Sequence, residues 1–296
     1  MSNIESFNIL LNTTKDDRYQ WWVEFREGID SSLLRVITGL ESRKLAIIIG
    51  AGRCEDFSLK QFVNYFERVI LSDIDVESIF NAHDYLMLTK EEKARVEVVK
   101  VEYTGVENSG LFDDLVNRIS KLDNFDDIEE LLLKGFGDFK NYKFLKKYSA
   151  DMVYVSPIYT QLIYQQLLMV CSKLRSVGYS ENLLKYIENY SVDKLVEVFE
   201  VFNKNLERIT DGRLVVASDI FQDYSNSDFM KRIKKDFTKE SVDSIYNQYL
   251  EDYGFGMGDL GLYLLNESME LLDYEWHVWP FVEGSDMVVK LAIYKK

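Results

Sequence analysis

Two prolines, two cysteines and two histidines are all that this chain of 296 residues contains of those three types. The cysteines, Cys54 and Cys171, lie far apart, which excludes a disulfide framework and suits a reducing cytoplasm. The histidines, His83 and His277, leave any metal centre to carboxylates alone, and no spacing specifies one, so no metal is expected. Basic residues are outnumbered 35 to 50, giving a net charge of −15. Such a surface repels a nucleic-acid backbone and argues against DNA or RNA as substrate. The sequence has no G-x-S-x-G elbow and no Walker glycine-lysine loop. The opening MSNIESFNIL has no basic region followed by an apolar core, so a secretion signal is not expected. One uncharged run, Met152 to Ser172, has about membrane-spanning length. Pro157, Gln161, Gln165 and Gln166 interrupt it, so it reads as a buried strand entering a buried helix, with no membrane span.

Apolar and aromatic residues are plentiful. Near half the chain is hydrophobic, with 19 Tyr and 18 Phe, enough for a sizeable core in one large α/β domain with insertions or in two small ones. The most informative stretch is Leu45 to Asp75. Leu45 to Ile49 is a continuous apolar run, as a strand buried on both faces requires. Gly50-Ala51-Gly52 permits a sharp turn and close backbone approach to a ligand. Ser58 to Arg68 has helical spacing with Leu59, Phe62, Val63 and Phe66 on one face, and Val69 to Ser72 is a second strand. Asp73 follows Gly50 by 23 residues, where a carboxylate at a strand end can accept both hydroxyls of a ribose.

Two adenosine cofactor classes use this layout. A dinucleotide fold wants a third glycine, G-x-G-x-x-G, so that a diphosphate can rest on the helix N-terminus. Here Glu55 stands at that position with Asp56 beside it. Two carboxylates repel a diphosphate but tolerate a sulfonium and an ammonium. The run therefore resembles motif I and the following acidic tip of class I S-adenosylmethionine-dependent methyltransferases.

Taken in order, residues 1–44 read as a helical cover, with Tyr19, Trp22 and Val23 at helical spacing and Ser31 or Ser32 capping a second helix through Leu40. Val76 to Leu88 reads as a helix, and Val96 to Val101 as a third strand ending in Glu102-Tyr103. Residues 107–138 carry nine acidic and three basic side chains on helical apolar spacing, an inserted pair with a solvated acidic face. Asp151 to Val155 is a fourth strand with Ser156-Pro157-Ile158-Tyr159 at its tip. Helices follow over Tyr159 to Leu174, Tyr179 to Tyr190 and Val192 to Ile209; Asp211-Gly212 makes a turn into a fifth strand, Arg213 to Ser218, ending in Asp219. The basic cluster Lys231 to Lys239 reads as a face balancing an acidic protein, with an anion site as the alternative. Gly256, Gly258 and Gly261 form a second G-x-G-x-x-G, but no buried strand precedes it, so it is expected to be a hinge or a mobile loop. Glu275 to Phe281 and Asp286 to Tyr294 alternate and are joined too closely for a parallel crossover, which makes them an antiparallel hairpin.

An open parallel sheet ending in such a hairpin is the class I methyltransferase layout. The expected fold is thus a doubly wound, mostly parallel seven-stranded α/β sheet ending in an antiparallel β-hairpin. N-terminal helices (1–44) precede an α/β domain (45–296) with helical insertions at about 105–148 and 224–258. The resemblance implies S-adenosylmethionine as cofactor. It assigns Gly50, Ala51 and Gly52 to its methionine portion, Asp73 and Ile74 to the ribose side, Glu102 or Tyr103 to adenine, and Ser156 to Tyr159 to the flank of the transferred methyl. Ser156-Pro157-Ile158-Tyr159 partly matches the Asn/Asp-Pro-Pro-Tyr tetrad of amino-methylating enzymes; Ser156 and Ile158 depart from it. Tyr159, Asp219 or His277 are the candidates to accept the acceptor's proton. The acceptor is expected to be a small molecule or peptide. The alternatives are a domain of this fold that binds without catalysing, for which Cys54 in place of a further glycine is the sign, and a nicotinamide reductase.

Overall fold

A computed structural model describes residues 3–13, 18–122, 124–137, 139–223 and 226–296. Seven strands form one sheet: β1 (Leu45–Ile49), β2 (Arg68–Asp73), β3 (Val96–Lys100), β4 (Ala150–Val155), β5 (Thr210–Gln222), β6 (Glu270–Val282) and β7 (Ser285–Lys295). Their order is β3-β2-β1-β4-β5-β7-β6. The first five run parallel, and β7 is antiparallel to both of its neighbours. This is the doubly wound sheet with a terminal hairpin that the alternation of the last strands predicts.

The reason is visible in β1. It is central, with Ile48 in register with Leu71 on one side and Tyr154 on the other. Its alternating side chains feed two cores, and Ala46 to Ile49 are fully buried. Ala46 and Ile48 point to the core shared with Phe25, Ile29 and Phe62, and Ile47 and Ile49 to the core shared with Leu167, Phe199 and Leu262. Burial of each isoleucine contributes about 2–3 kcal/mol, so both faces must be apolar.

Several helical boundaries differ from the sequence reading. Val23–Thr38 is a single helix running straight through Ser31 and Ser32. Both hydroxyls bond back to the carbonyls of Glu27 and Gly28, and Ser32 also donates to Glu275 on β6. The region from Val76 is broken into Val76–Phe80 and His83–Met87. Glu181–Ile209 is one helix of 29 residues with Ser191 buried inside it. A short 3-10 turn, Tyr159–Gln161, precedes the helix Tyr164–Ser176. Asp211 and Gly212 belong to β5 rather than to a turn, because Gly212 packs on the β4 backbone, where a Cβ would come within 2.3 Å of the Asp151 carbonyl oxygen.

The second glycine motif is also set by packing. Gly258 and Gly261 lie inside the helix Met257–Asn266. A Cβ on Gly258 would meet the Asp219 carbonyl oxygen at 2.4 Å, and one on Gly261 would meet the Tyr159 ring at 2.4 Å. Gly261→Ala is expected to cost about 2 kcal/mol despite its better helix propensity, read as a lower urea midpoint with an unchanged slope. An unchanged midpoint would show that the Tyr159 ring moves aside freely.

In the basic cluster, Lys231 pairs with Asp228, Arg232 donates to Gln248, and Lys234 bridges Asp223 and Asp286. Among the described residues, no helix is long and apolar enough to cross a membrane.

Candidate active site

At the carboxyl end of β1 the backbone takes three left-handed conformations in five residues: Gly50 (φ 71°), Gly52 (φ 46°) and Cys54 (φ 52°). Cys54 thus keeps the conformation of a glycine at a cost of about 1–2 kcal/mol, and it is buried. Gly50 is excluded from carrying a side chain for a second reason, since a Cβ there would lie 2.4 Å from Ile158.

The turn is tied to β2 by a set of donors on common acceptors. The Gly50 and Ala51 N–H groups both donate to the Ser72 carbonyl, at 3.1 and 3.0 Å. Gly52 N–H donates to Asp73 Oδ2 at 2.8 Å, and Asp75 N–H to Asp73 Oδ1 at 2.9 Å. Each Asp73 oxygen therefore keeps lone-pair capacity for a further donor. Burial pushes the Asp73 carboxyl up to about 6, against the pull of those N–H groups. Asp75 caps the next helix by accepting from Ser78 N–H and also accepts from Asn12 Nδ2 at 2.9 Å, which fastens the N-terminal helix Asn3–Asn12 to the site.

Beyond the turn, the start of the helix Leu59–Tyr65 is already filled. Ser58 N–H donates to Asp30 Oδ1 at 2.8 Å, Leu59 N–H to Asp84 Oδ2 at 3.1 Å, and Gln61 N–H to the Ser58 hydroxyl. The donors on which a dinucleotide's diphosphate would rest are thus taken by two carboxylates, with Glu55 and Asp56 close by in the chain. Glu55 pairs with Arg53 at 3.1 Å and with Arg18 at 3.9 Å, while Arg26 donates to its carbonyl at 3.1 Å. Asp56 accepts from the Tyr154 hydroxyl at 3.2 Å; burial raises its carboxyl to about 6, opposed by the Ser156 and Tyr154 hydroxyls.

These groups line a cleft of about 990 Å³, its mouth included, which crosses the top of the sheet. On the β2–β3 side it is bounded by Asp73, Ile74, Val101 and Glu102 to Thr104. On the other side stand Arg18, Trp22, Asp56, Trp279 and Phe281. Gly50, Ala51, Gly52, Ser156, Pro157 and Ile158 lie between, at the ends of β1 and β4.

Every residue assigned to the cofactor from sequence, except Tyr159 of the Ser156 to Tyr159 run, therefore borders one cleft, though two are engaged in ways the sequence does not reveal. The Glu102 carboxylate folds onto its own loop, accepting from Thr104 N–H at 2.7 Å, from the Thr104 hydroxyl and from Gly105 N–H. The Tyr103 hydroxyl donates to the Ser72 carbonyl at 2.7 Å and accepts from Gly50 N–H at 2.9 Å, so this residue positions the glycine turn.

The proton-acceptor candidates lie elsewhere. Tyr159 is buried in the core, its hydroxyl donating to Asn203 Oδ1 at 2.6 Å and its ring against Phe199 and Phe202. Asp219 accepts from the Thr160 hydroxyl at 3.2 Å and from Gln222 at 3.4 Å, and burial pushes its carboxyl up to about 7. His277 packs against Gly28 and Phe25 on the flank of β6. None of the three lines the cleft. The residues that sequence reasoning left out of the site include Arg18, Trp279 and Phe281. For Trp279 and Phe281 the signal is the alternation of β6, which sends residues 277, 279 and 281 to one face.

No protein-family model matches the sequence, and no curated protein matches it. Solved structures similar in fold include N-methyltransferase NodS from Bradyrhizobium japonicum WM9, at 10% identity, covering 92% of this chain and 97% of that one, with a TM-score of 0.45. An S-adenosylmethionine-dependent methyltransferase from Aquifex aeolicus is similar at 11% identity, covering 98% and 97%, with a TM-score of 0.44. Another from Anabaena variabilis ATCC 29413 is similar at 12% identity, covering 93% and 85%, with a TM-score of 0.42. The strand order and the closing hairpin are those of the class I methyltransferase fold. Likeness of this strength concerns the fold alone.

Proposed function

We propose that the chain binds S-adenosylmethionine in this cleft and transfers its methyl group to a small molecule or peptide. The observation that carries the reading is the occupied start of the helix Leu59–Tyr65. With Asp30 and Asp84 taking its first N–H groups and Glu55 and Asp56 alongside, the turn repels a diphosphate and accommodates a sulfonium and an ammonium. In this reading Asp73 accepts the two ribose hydroxyls through its remaining lone pairs. Ile74 and Val101 pack on the adenine, and Glu102 stands at its edge. Gly50, Ala51 and Gly52 give backbone room for the methionine portion, whose carboxylate faces Arg18 and Arg53 and whose ammonium faces Glu55. Ser156 to Ile158 flank the methyl.

Methyl transfer asks chiefly for geometry: nucleophile, methyl carbon and sulfur in line at about 3–3.5 Å with water excluded. The lone pair of the acceptor forms the new bond to carbon as the carbon–sulfur bond breaks. The sulfonium leaves as the neutral thioether S-adenosylhomocysteine. The experiment is mass spectrometry of whatever the purified protein releases on denaturation. Release of S-adenosylmethionine or S-adenosylhomocysteine supports the reading; release of a nicotinamide dinucleotide overturns it. A second reading, a domain that binds cofactor without catalysing, is favoured by the burial of Tyr159 away from the cleft and by Cys54 at a glycine position. Binding without transfer to any acceptor would support it.

A further inference from the structure

The side of the cleft away from Asp73 is a three-sided aromatic box. Trp22 and Phe281 are near-parallel, at 18°, with ring centroids 6.3 Å apart. Trp279 stands edge-on to both, at 77° and 75°, with centroids 4.8 and 4.9 Å away. Phe25 stacks on Trp279 at 5.2 Å and helps to fix its plane. The three rings pack on one another, so a flat ligand would lie against the cleft side of the cluster and not between its walls. Among the described residues neither the Trp22 nor the Trp279 indole N–H has a hydrogen-bond partner, and both rings border the cleft.

Among the described residues on this flank, Asp56 is a buried carboxylate placed to take a proton at neutral pH. Its carboxyl, raised by burial to about 6, is ionised there and more basic than an exposed aspartate. The ionisable groups around it are Glu55, Cys54, Asp30 from the helix Val23–Thr38 and Tyr154 from β4. Glu55 is itself paired with Arg53 and Arg18.

We propose that the methyl acceptor is a flat aromatic molecule bearing a protic nucleophile, a phenolic hydroxyl or an aryl amine, seated against Trp22, Trp279 and Phe281, with Asp56 receiving its proton. This rests on the methyl-transfer reading of the cleft. The acceptor's oxygen or nitrogen forms its bond to the methyl carbon, the carbon–sulfur bond gives its electrons to sulfur, and the displaced proton goes to the Asp56 carboxylate. Charge balances: a sulfonium and a carboxylate become a thioether and a carboxylic acid.

The test has two stages, so that the two readings fail separately. Binding of S-adenosylhomocysteine is measured first by calorimetry; its failure removes the methyl-transfer reading and this proposal with it. With S-adenosylhomocysteine bound, naphthol, hydroxyquinoline and naphthylamine are titrated with tryptophan fluorescence as readout. Labelled methyl transfer to them is then compared with transfer to hexanol, cyclohexylamine and a lysine-containing peptide. The aromatic set is expected to quench the fluorescence and to accept the methyl. Trp279→Leu should raise KM for the aromatic acceptor about tenfold or more while S-adenosylhomocysteine affinity stays within about twofold. Asp56→Asn should lower kcat about 100-fold and flatten its rise with pH around 6. Tyr154→Phe removes a hydrogen bond that holds Asp56 ionised, and should move that rise to higher pH with the limiting rate kept, a shift that a merely structural role would not give. Binding of S-adenosylhomocysteine with no aromatic ligand bound, or transfer only to the aliphatic amine, alcohol or peptide, overturns the proposal.

Discussion

Asp73→Asn is expected to weaken binding of S-adenosylmethionine and S-adenosylhomocysteine by about 100-fold or more. Hydrogen bonds to a charged acceptor contribute about 1.5–3 kcal/mol each, and two ribose hydroxyls on one carboxylate therefore account for about 3 kcal/mol or more. The substitution keeps the size of the side chain but leaves one oxygen where two are used. Gly52 N–H and Asp75 N–H already take one lone pair on each Asp73 oxygen. An amide nitrogen at either place would face a backbone donor, so the glycine turn would loosen as well as the ribose contact. Asp75→Ser is the matching control, since serine still caps the helix Val76–Phe80 and Asp75 makes no proposed contact to cofactor. Its affinity should change by no more than about fivefold. Calorimetry with both ligands measures this; a change below about threefold for Asp73→Asn would show that Asp73 serves the turn alone.

The second large effect is on stability against pH. Burial raises the carboxyls of Asp30, Asp56, Asp73 and Asp259 to about 6 and that of Asp219 to about 7. A folded-state value above the unfolded one means that the folded chain holds its proton more tightly. Each such group stabilises the fold fully below about pH 4, and that contribution is lost as pH rises through 6 to 7. Between pH 5.5 and 8 Asp219 alone gives up about 2 kcal/mol and each of the others a little under about 1 kcal/mol. Asp223 and Glu92, held below the ordinary carboxylate range, titrate below this interval, and His277, whose pKa burial lowers, offsets only part of the loss. The thermal midpoint is therefore expected to fall by roughly 5–10 °C between pH 5.5 and 8. Asp219→Asn should flatten the curve by about a third. A midpoint that rises over the same interval would contradict the account of these buried acids.

What could be read from the sequence follows from how locally it is determined. The continuous apolar run of β1 declares a strand buried on both faces, and the alternation from Glu275 onward declares a strand that meets its partner through a short turn. The glycine turn and Asp73 are legible because backbone conformation and chain spacing bring them together within one β-helix-β unit. Ser31 and Ser32 read as caps because capping is their local preference; the helix runs through both, with Ser32 buried against β6. Tyr159 reads as a catalytic ring by its place after Pro157, yet its hydroxyl is claimed by Asn203, 44 residues on. Gly258 and Gly261 imitate a nucleotide loop, although their spacing is fixed by close contact with β5 and the Tyr159 ring. A further support for the proposed cofactor was out of reach: Asp30 and Asp84 come from opposite directions in the chain, 28 and 25 residues from the N–H groups they occupy. The aromatic box likewise joins a residue near the N-terminus to two near the C-terminus.

The central claim is that the cleft over Gly50, Gly52 and Asp73 holds a sulfonium nucleoside and not a dinucleotide. Isothermal calorimetry of the unmodified protein with S-adenosylmethionine, S-adenosylhomocysteine and NADH in parallel tests it most directly. The account predicts saturable binding, one ligand per chain at micromolar concentration, for the first two and none for NADH. Saturable binding of NADH, or binding of neither adenosyl ligand, would contradict it.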